Sequence, residues 1–436
     1  MAKAELGARP APRPAQPASA GQEWTPASVY ALSILTLINT FNFFDRGLLA
    51  LVLPLIKAEF NVSDTVLGAV NSLFLASAVV GVPVAALADR WSRRNVIAAS
   101  LLVWTVATAL TGLAGGVVAL AALRLMVGVG EAGAVPASNA MMADIFAAGP
   151  RPLAVAIFTS GASLSYLLYS PLAGWIADNY GWRATFLAAG APGLALAAIF
   201  MLTVKEPPRI GNAEIAPPPF WPSVRLLARS RAYMLILVGS ACMSCINYGG
   251  GAWTATFLVR VHHFSLTHIG AYIQPLKGLV SLIGIVLAGV LVTRFARRDA
   301  RWRMWIPALT CLICAPCEAL FVFADPMSAW LTGFMVGGVF SLMYQGAIYS
   351  AVMDVAPAGA RGVAVAVLLL VGTIVGQVVG SIGIGVLNDL LAPHFGQLAV
   401  RYSLGSVLVL TALGASLFYA AAAHYVVGDA QHAAGD

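Results

Sequence analysis

One short stretch, RLMVGVGEAG, sets Arg124, Gly128 and Glu131 at i, i+4 and i+7, on one stripe of what its apolar composition makes a helix. A charge at the centre of a bilayer-crossing helix costs roughly 2.5–3.5 kcal/mol on insertion scales. Arg124 and Glu131 therefore need a polar cavity, a partner or a neutralising proton; a fixed ion pair tying this helix to its neighbour would also serve. An earlier apolar run carries NTFNFFDRG, which places Asp45 and Arg46 about two-thirds of the way along. Burial disfavours an ionised carboxyl and a neighbouring guanidinium favours it, so opening to water on one side and then the other switches its proton affinity. Asp45, Glu131 and Arg124 are accordingly a candidate proton-coupling group, in which proton uptake frees Arg124 to hold an anionic head group.

The second half of the chain is chemically quieter. Lys277, in QPLKG, is its one well-buried cation, with Gln274 one turn before it. It reads either as a contact for a substrate anion or as the partner of Glu318. Other candidate cavity groups are Asn42, Asn71, Tyr166, Tyr169, Asn247, Tyr248, Trp253, Tyr344, Gln345 and Gln377, each of which could equally serve as a packing hydrogen bond or an interfacial aromatic. Cys242-x-x-Cys245 and Cys311-x-x-Cys314-x-x-Cys317 have spacings that suggest metal ligation in soluble proteins. Here they fall inside apolar helices, where small weakly polar residues pack well, and no metal or cofactor is expected. All six histidines fall in expected loops or near helix ends, which argues against a histidine proton relay. No nucleophile and base share a depth, and the glycines of VGVGEAG follow no strand, so neither an enzyme nor a dinucleotide fold is expected.

The elements that must position these groups are membrane helices. Of 436 residues, 60% are hydrophobic and 10% charged, far from soluble proportions. Apolar runs long enough to span a core of roughly 30 Å recur twelve times, at about 28–56, 64–88, 96–115, 118–146, 152–177, 182–203, 230–260, 266–292, 303–324, 327–352, 362–390 and 400–427. With the N-terminus inside, eighteen of the 25 basic residues fall in cytoplasmic segments, so the net charge of +7 reflects topology rather than a nucleic-acid face. Both termini are expected to be cytoplasmic. Residues 1–27, Pro- and Ala-rich and without a signal peptide's apolar stretch, read as a disordered tail, and 428–436 as a second tail. Residues 205–229, with EPPR and APPPFWP, read as a cytoplasmic linker between bundles at 28–204 and 230–427.

An internal repeat supports that division. DIFAAGPR from Asp144 to Arg151 returns as DVAPAGAR from Asp354 to Arg361, 210 residues on; GWIAD ending at Asp178 returns as GVLND ending at Asp389, 211 on. DRWSRRN from Asp89 returns, degraded, as TRFARRD from Thr293, 204 on. The expected fold class is thus all-α: twelve transmembrane helices in two pseudo-symmetric six-helix bundles, with a substrate site near the midplane between them.

Several of these stretches carry a family resemblance. AALADRWSRRN, Ala85 to Asn95, resembles the signature loop of the major facilitator superfamily, with Ala85 where a glycine is usual. FNFFDR, RLMVGVGEAG, the MMADIF helix end, VKEPPR, RRDARWR and VLNDLLAPHFG narrow the similarity to the spinster branch over about residues 35–420. The resemblance implies proton-linked transport of amphiphilic or lipid-like solutes, such as lysophospholipids or sphingolipids. It maps a coupling acid to Asp45 and a helix 4 pair to Arg124 and Glu131. Asp89, Arg90, Arg93, Arg94, Asp144 and Arg151 form an expected cytoplasmic gate, closed when the protein opens outward and broken when it opens inward; Asp89 would face the positive N-terminus of the eleventh helix.

The expected function is proton-coupled secondary transport of an amphiphilic anion by alternating access, in a cell inner membrane, by a chain able to act as a monomer. Its partners are a small-molecule or lipid substrate, protons and membrane lipids, without nucleic acid. A symporter for small organic acids, with Arg124 and Lys277 as carboxylate clamps, is the first alternative. A non-transporting sensor or scaffold of the same fold is the second.

Overall fold

A computed structural model of the protein describes residues 24–76, 79–81, 91–147, 149–208 and 220–425. Among these residues ten helical runs are long and apolar enough to cross a bilayer. They are α1 (Pro26–Phe60), α2 (Asp64–Gly81), α3 (Arg93–Thr111), α4 (Val117–Ile145), a double run Arg151–Thr203, α7 (Arg231–His262), α8 (Leu266–Ala296), α9 (Trp302–Phe323), α10 (Met327–Val355) and a double run Arg361–Ala423. Gly181 breaks the first double run with a φ of 81°, separating α5 (151–180) from α6 (182–203). Gly396, with a φ of 56°, similarly separates α11 (361–395) from α12 (399–423). Both φ values are in the region that glycine enters without penalty, so each glycine reverses the chain at a bundle end. Twelve crossings result.

Local signals explain several of the ends. Thr25 caps α1 by accepting the Ser28 N–H at 3.1 Å, while the Ser28 hydroxyl oxygen accepts the Thr25 N–H at 2.9 Å, and Pro26 occupies the first turn, where its missing N–H costs nothing. Ser63, Ser92, Ser230 and Ser265 cap α2, α3, α7 and α8, each hydroxyl oxygen accepting one first-turn backbone N–H. A short helix, Phe220–Ala228, precedes α7.

Within the first half α3 packs on α4 and α6; within the second, α9 packs on α10 and α12, and α7 on α11 and α12. With no water to exclude between helices in lipid, close approach of small residues supplies much of the packing. A Cβ on Gly130 of α4 would lie 2.6 Å from the backbone nitrogen of Trp104 on α3, so only glycine allows that contact. Trp104 and Phe186 are fully buried against it and its neighbours. The two stronger repeats noted in the sequence, at 210 and 211, fall on matching bundle positions, and the equivalent ion pairs are Arg93–Asp144 and Arg303–Asp354, both residues shifted by 210. The TRFARRD alignment at 204 therefore misplaces the counterpart of Arg93: α3 starts at Arg93 and its mate α9 at Trp302.

The halves meet along three seams, α1 with α7, α2 with α11 and α5 with α8. All three lie toward the ends that carry Asp64, Asp178 and Asp389, called the distal end below. The opposite, proximal end carries Arg93, Asp144 and Asp354, and is the one predicted from charge to be cytoplasmic. There, among the described residues, the first turns of α5 and α11 and the last turns of α4 and α10 form no comparable seam between halves.

Candidate functional site

The charged centre of the first half is a pair of crossed ion pairs between α1 and α4. Asp45, with no solvent exposure, accepts the Thr108 hydroxyl at 2.7 Å and an Arg124 N–H at 3.3 Å. Arg46 donates its Nε–H to Glu131 at 2.9 Å. Consecutive residues on α1 thus meet residues seven apart on α4, and the four charges cancel. Thr108 reaches Asp45 from α3, and Arg124 also lies over the Phe186 ring of α6 at 5.1 Å. Arg46 lies over Phe74 of α2 at 4.3 Å. Each ion pair keeps unspent capacity: Arg124 Nε and Nη2 and Glu131 Oε1 are buried with no protein partner. So are both amide atoms of Asn42, one turn before Asp45. Unpartnered donors and acceptors clustered in this way cost several kcal/mol together unless water, a proton or a ligand reaches them.

Across the interface, Lys277 of α8 directs its ammonium to the Tyr166 ring of α5, 5.6 Å from the centroid. It has no acid within ion-pair distance among the described residues. Glu318 instead accepts the Thr411 hydroxyl of α12 at 2.8 Å and a Cys314 thiol contact at 3.4 Å. Of the two readings of Lys277, the one that pairs it with Glu318 is not the arrangement found. Gln274 and Tyr166 line a void of about 10 Å³ between α1, α5 and α8, closed by Phe43 and Phe44, which is room for about one water.

Three of the helices of the second half widen into π-helical turns close to candidate cavity groups: Ile246–Gly250 holds Asn247 and Tyr248, Ile269–Ile273 directly precedes Gln274, and Gly376–Ile382 holds Gln377. Such turns recur at functional positions because they redirect side chains and loosen the helical ladder. Asn247 donates to the Met243 carbonyl at 2.9 Å and to the Tyr344 hydroxyl at 3.3 Å. The Gln377 Oε1 atom is buried without a partner, while its backbone carbonyl accepts the Ser72 hydroxyl at 2.8 Å across the α2–α11 seam. Asn71 crosses the same seam to the Ser381 hydroxyl at 3.2 Å.

Other candidates are occupied by packing. Tyr169 stacks on Phe44 at 4.9 Å. Trp253 is fully buried and donates its indole N–H to the Ser381 carbonyl at 2.9 Å. Tyr344 stacks on Phe418 and is 5% exposed. Tyr248 lies against Gly376, and Gln345 is half-buried beside Tyr344. The cysteines are also packed: the Cys311 thiol meets the Met243 sulfur at 3.4 Å and that of Cys245 the Val375 carbonyl at 3.5 Å.

At the distal end two aspartates join the halves by capping helices of the opposite half. Asp389, in the last two turns of α11, accepts the backbone N–H groups of Asp64 and Thr65 at the start of α2, at 2.9 and 2.8 Å, and the Thr65 hydroxyl at 2.6 Å. Asp178, closing α5, accepts those of Leu266 and Thr267 at the start of α8, at 3.1 and 2.6 Å. Asp64 is held in turn by Lys57 of α1 at 2.5 Å and by Arg260 of α7, whose two N–H groups reach it at 2.5 and 2.8 Å. Glycines let these seams close: a Cβ on Gly68 would lie 2.5 Å from the Ser381 carbonyl, and Gly174 rests on the Leu266 carbonyl.

At the proximal end several charges among the described residues pair within their own half. Arg93 pairs with Asp144. Arg151 donates to the carbonyls of Ala143 and Phe146, and Glu206 caps α3 through the Ser92 hydroxyl and the Arg93 and Arg94 N–H groups. Arg94 also donates to the Met201 carbonyl. Asp89 and Arg90 lie outside the described residues.

The structure thus brings Asp45, Arg124 and Glu131 together, as their spacing suggests, but adds Arg46, which holds the carboxyl that sequence reasoning left to Arg124. That residue was visible as the second charge of FNFFDR; nothing in the spacing said which acid it meets. The distal residues Lys57, Asp64, Asp178, Arg260 and Asp389 were not singled out. The signal for two of them was the shared final Asp of GWIAD and GVLND.

Comparison with known proteins agrees with the fold. The family model for the Major Facilitator Superfamily matches residues 35–381. An MFS-type efflux pump of Mycolicibacterium smegmatis is 29% identical over 91% of this chain and 92% of its own. The "Probable galactarate/D-glucarate transporter GudP" of Bacillus subtilis is 25% identical over 76% of this chain and 80% of its own. Human protein spinster homolog 1 is 30% identical over 53% of this chain and 46% of its own. Among solved structures, a bacterial homolog of the human lysosomal transporter Spinster, inward-facing and unoccupied, superposes with a TM-score of 0.81 at 24% identity, over 92% of this chain and 98% of that one.

Proposed function

The chain belongs to the major facilitator superfamily, whose members are membrane transporters rather than enzymes, and from that premise we propose that it is a proton-coupled carrier of an anionic solute, working by alternating access. The observation that carries the reading is the charge arrangement. Asp45–Arg124 and Arg46–Glu131 neutralise one another in the first half, and Lys277 of the second half lies against Tyr166 of α5 as a cation without an acid in ion-pair distance among the described residues. A proton on Asp45 or Glu131 loosens its ion pair and leaves Arg124 or Arg46 able to join Lys277 in holding an anion. When the anion leaves, the guanidinium returns to its carboxylate and expels the proton. One proton moved down 100 mV supplies about 2.3 kcal/mol, roughly a 50-fold gradient. A monoanion carried with one proton moves no net charge, and the pH difference alone drives it.

The orientation that follows from the basic residues puts both termini in the cytoplasm of an inner-membrane protein. The distal caps then close the outer side, and the passage opens inward. Arg93, Arg94, Asp144 and Arg151 serve as the gate on the cytoplasmic side, idle while the halves stand apart there. One chain contains the whole passage, so a monomer suffices.

The solute class is an amphiphilic or lipid-like anion, of the lysophospholipid or sphingolipid kind, the reading that the spinster-like stretches FNFFDR and VLNDLLAPHFG and the similarity to human protein spinster homolog 1 support. A small organic acid is the second reading, favoured by the similarity to the galactarate/D-glucarate transporter over most of both chains. Proteoliposomes with an imposed pH gradient separate the two. Lysolipid uptake that collapses in Lys277→Gln supports the first, dicarboxylate uptake with the same dependence supports the second, and no substrate-dependent proton flux with either class leaves a non-transporting sensor.

A further inference from the structure

On the outer face of the second half, away from the passage, α8 and α9 diverge above α10 and leave a cleft of about 190 Å³. Its walls are apolar: Leu291 and Phe295 from α8, Trp302, Leu309 and Ile313 from α9, and Phe340 from α10. Leu309 and Ile313 are exposed, so the cleft opens to the surroundings of the bundle. Phe295 and Trp302 stack at 4.7 Å at its proximal end, and Trp305 meets Trp302 edge-on at 5.4 Å. Paired indoles at this height are what a membrane interface attracts.

The same end carries the densest run of cations among the described residues. Arg294, Arg297, Arg298 and Arg301 are exposed, and none has an acid within ion-pair distance among those residues. The one acid in the run, Asp299, accepts the Arg301 backbone N–H at 2.8 Å. Arg303 is committed to Asp354. Leu291, Arg294, Phe295 and Arg298 recur at i, i+3, i+4 and i+7, so one stripe begins as the cleft's apolar wall and ends in two guanidinium groups. The Arg298 N–H donates to the Phe295 carbonyl at 3.0 Å, which keeps the chain winding through that last turn.

We propose that this cleft binds an anionic phospholipid of the proximal leaflet, with an acyl chain along Leu291, Leu309 and Ile313 and the phosphate held by Arg294, Arg298 and their neighbours. A preference for cytoplasmic loops accounts for the number of arginines but not for an open, aromatic-lined cleft directly beneath them. Charge selects the occupant: a phosphate with no ammonium of its own gains several guanidinium contacts, whereas a zwitterionic head group brings a cation into a cluster of cations. The site is peripheral, so it stands or falls independently of the transported solute.

Native mass spectrometry of the purified full chain, titrated with phosphatidylglycerol and separately with phosphatidylcholine, tests the assignment. The unmodified protein should take one phosphatidylglycerol much more tightly than phosphatidylcholine, and the triple variant Arg294→Gln, Arg297→Gln, Arg298→Gln should lose on the order of 100-fold of that preference. Leu309→Trp, which fills the cleft while leaving every arginine, should weaken phosphatidylglycerol binding as well. Equal binding of the two lipids, an undiminished preference in the triple variant, or full binding in Leu309→Trp would each overturn the site.

Discussion

Asp389 and Thr65 lie 324 positions apart in the chain and on opposite halves of the molecule, yet the Asp389 carboxylate accepts both the backbone N–H of Thr65, at 2.8 Å, and its hydroxyl, at 2.6 Å. Asp178 makes the equivalent contact with Leu266 and Thr267. Each aspartate lies near the distal end of its own helix and caps a helix of the opposite half, so the positive end of a helix in one half is neutralised by the other half. Opening at the distal end would break these bonds.

Asp389→Ala should therefore shift the protein toward opening at that end. Losing a cap of this kind costs about 1–2 kcal/mol, enough to change the ratio of closed to open forms several-fold. Spin labels at Ala58 and Gln397, both exposed near the distal end, report the change. The expected result is a new longer-distance population in the variant; an unchanged distribution counts against the cap as a latch.

Gly174→Val tests the α5–α8 seam by bulk rather than charge. Gly174 rests on the Leu266 carbonyl and approaches Gly270, so any side chain must push the helices apart. The variant should fold, fail to close distally and lose transport, with a thiol probe at the distal end gaining access. Normal transport would show that the seam tolerates separation.

The crossed ion pairs predict non-additive stability. Asp45→Asn leaves Arg124 with no counter-charge, and Arg124→Gln leaves Asp45 in the same state; each should cost roughly 3–5 kcal/mol. The double variant removes both charges and should regain a large part of the loss, read as Tm in detergent. Simple addition of the two losses would mean that the residues do not act as a pair.

Lys277→Gln should raise the KM for an anionic substrate by about 10-fold or more, while Lys277→Arg keeps the charge and part of the affinity. Concentration-dependent uptake in proteoliposomes measures both. A KM unchanged in Lys277→Gln would place the anion elsewhere.

The fold was largely legible because each crossing is an apolar run of the necessary length, whereas the reversals at Gly181 and Gly396 emerge only from their backbone angles. Asp45, Arg124 and Glu131 were legible for the same reason that they are costly: charges in apolar helices stand out. Which acid meets which base was not, because the answer depends on how α1 rotates against α4, a property of side-chain packing along the whole seam. Arg46 shows this best, since its pairing with Glu131 follows from that rotation and from the Phe74 ring beneath it. The distal caps were hidden differently. Asp178 and Asp389 look like ordinary helix-end acids until the opposite half supplies Leu266, Thr267, Asp64 and Thr65. Trp253, singled out as a cavity residue, is instead spent on the Ser381 carbonyl, because π-helical turns bring α7 and α11 into close contact there.

The central claim is that the α1–α4 carboxylates couple proton movement to an anion. Uptake in proteoliposomes under a pH gradient, set beside gradient-free exchange of internal for external substrate, tests it in Asp45→Asn and Glu131→Gln. The account predicts that exchange persists while gradient-driven accumulation is lost in at least one variant. Full accumulation in both would contradict it.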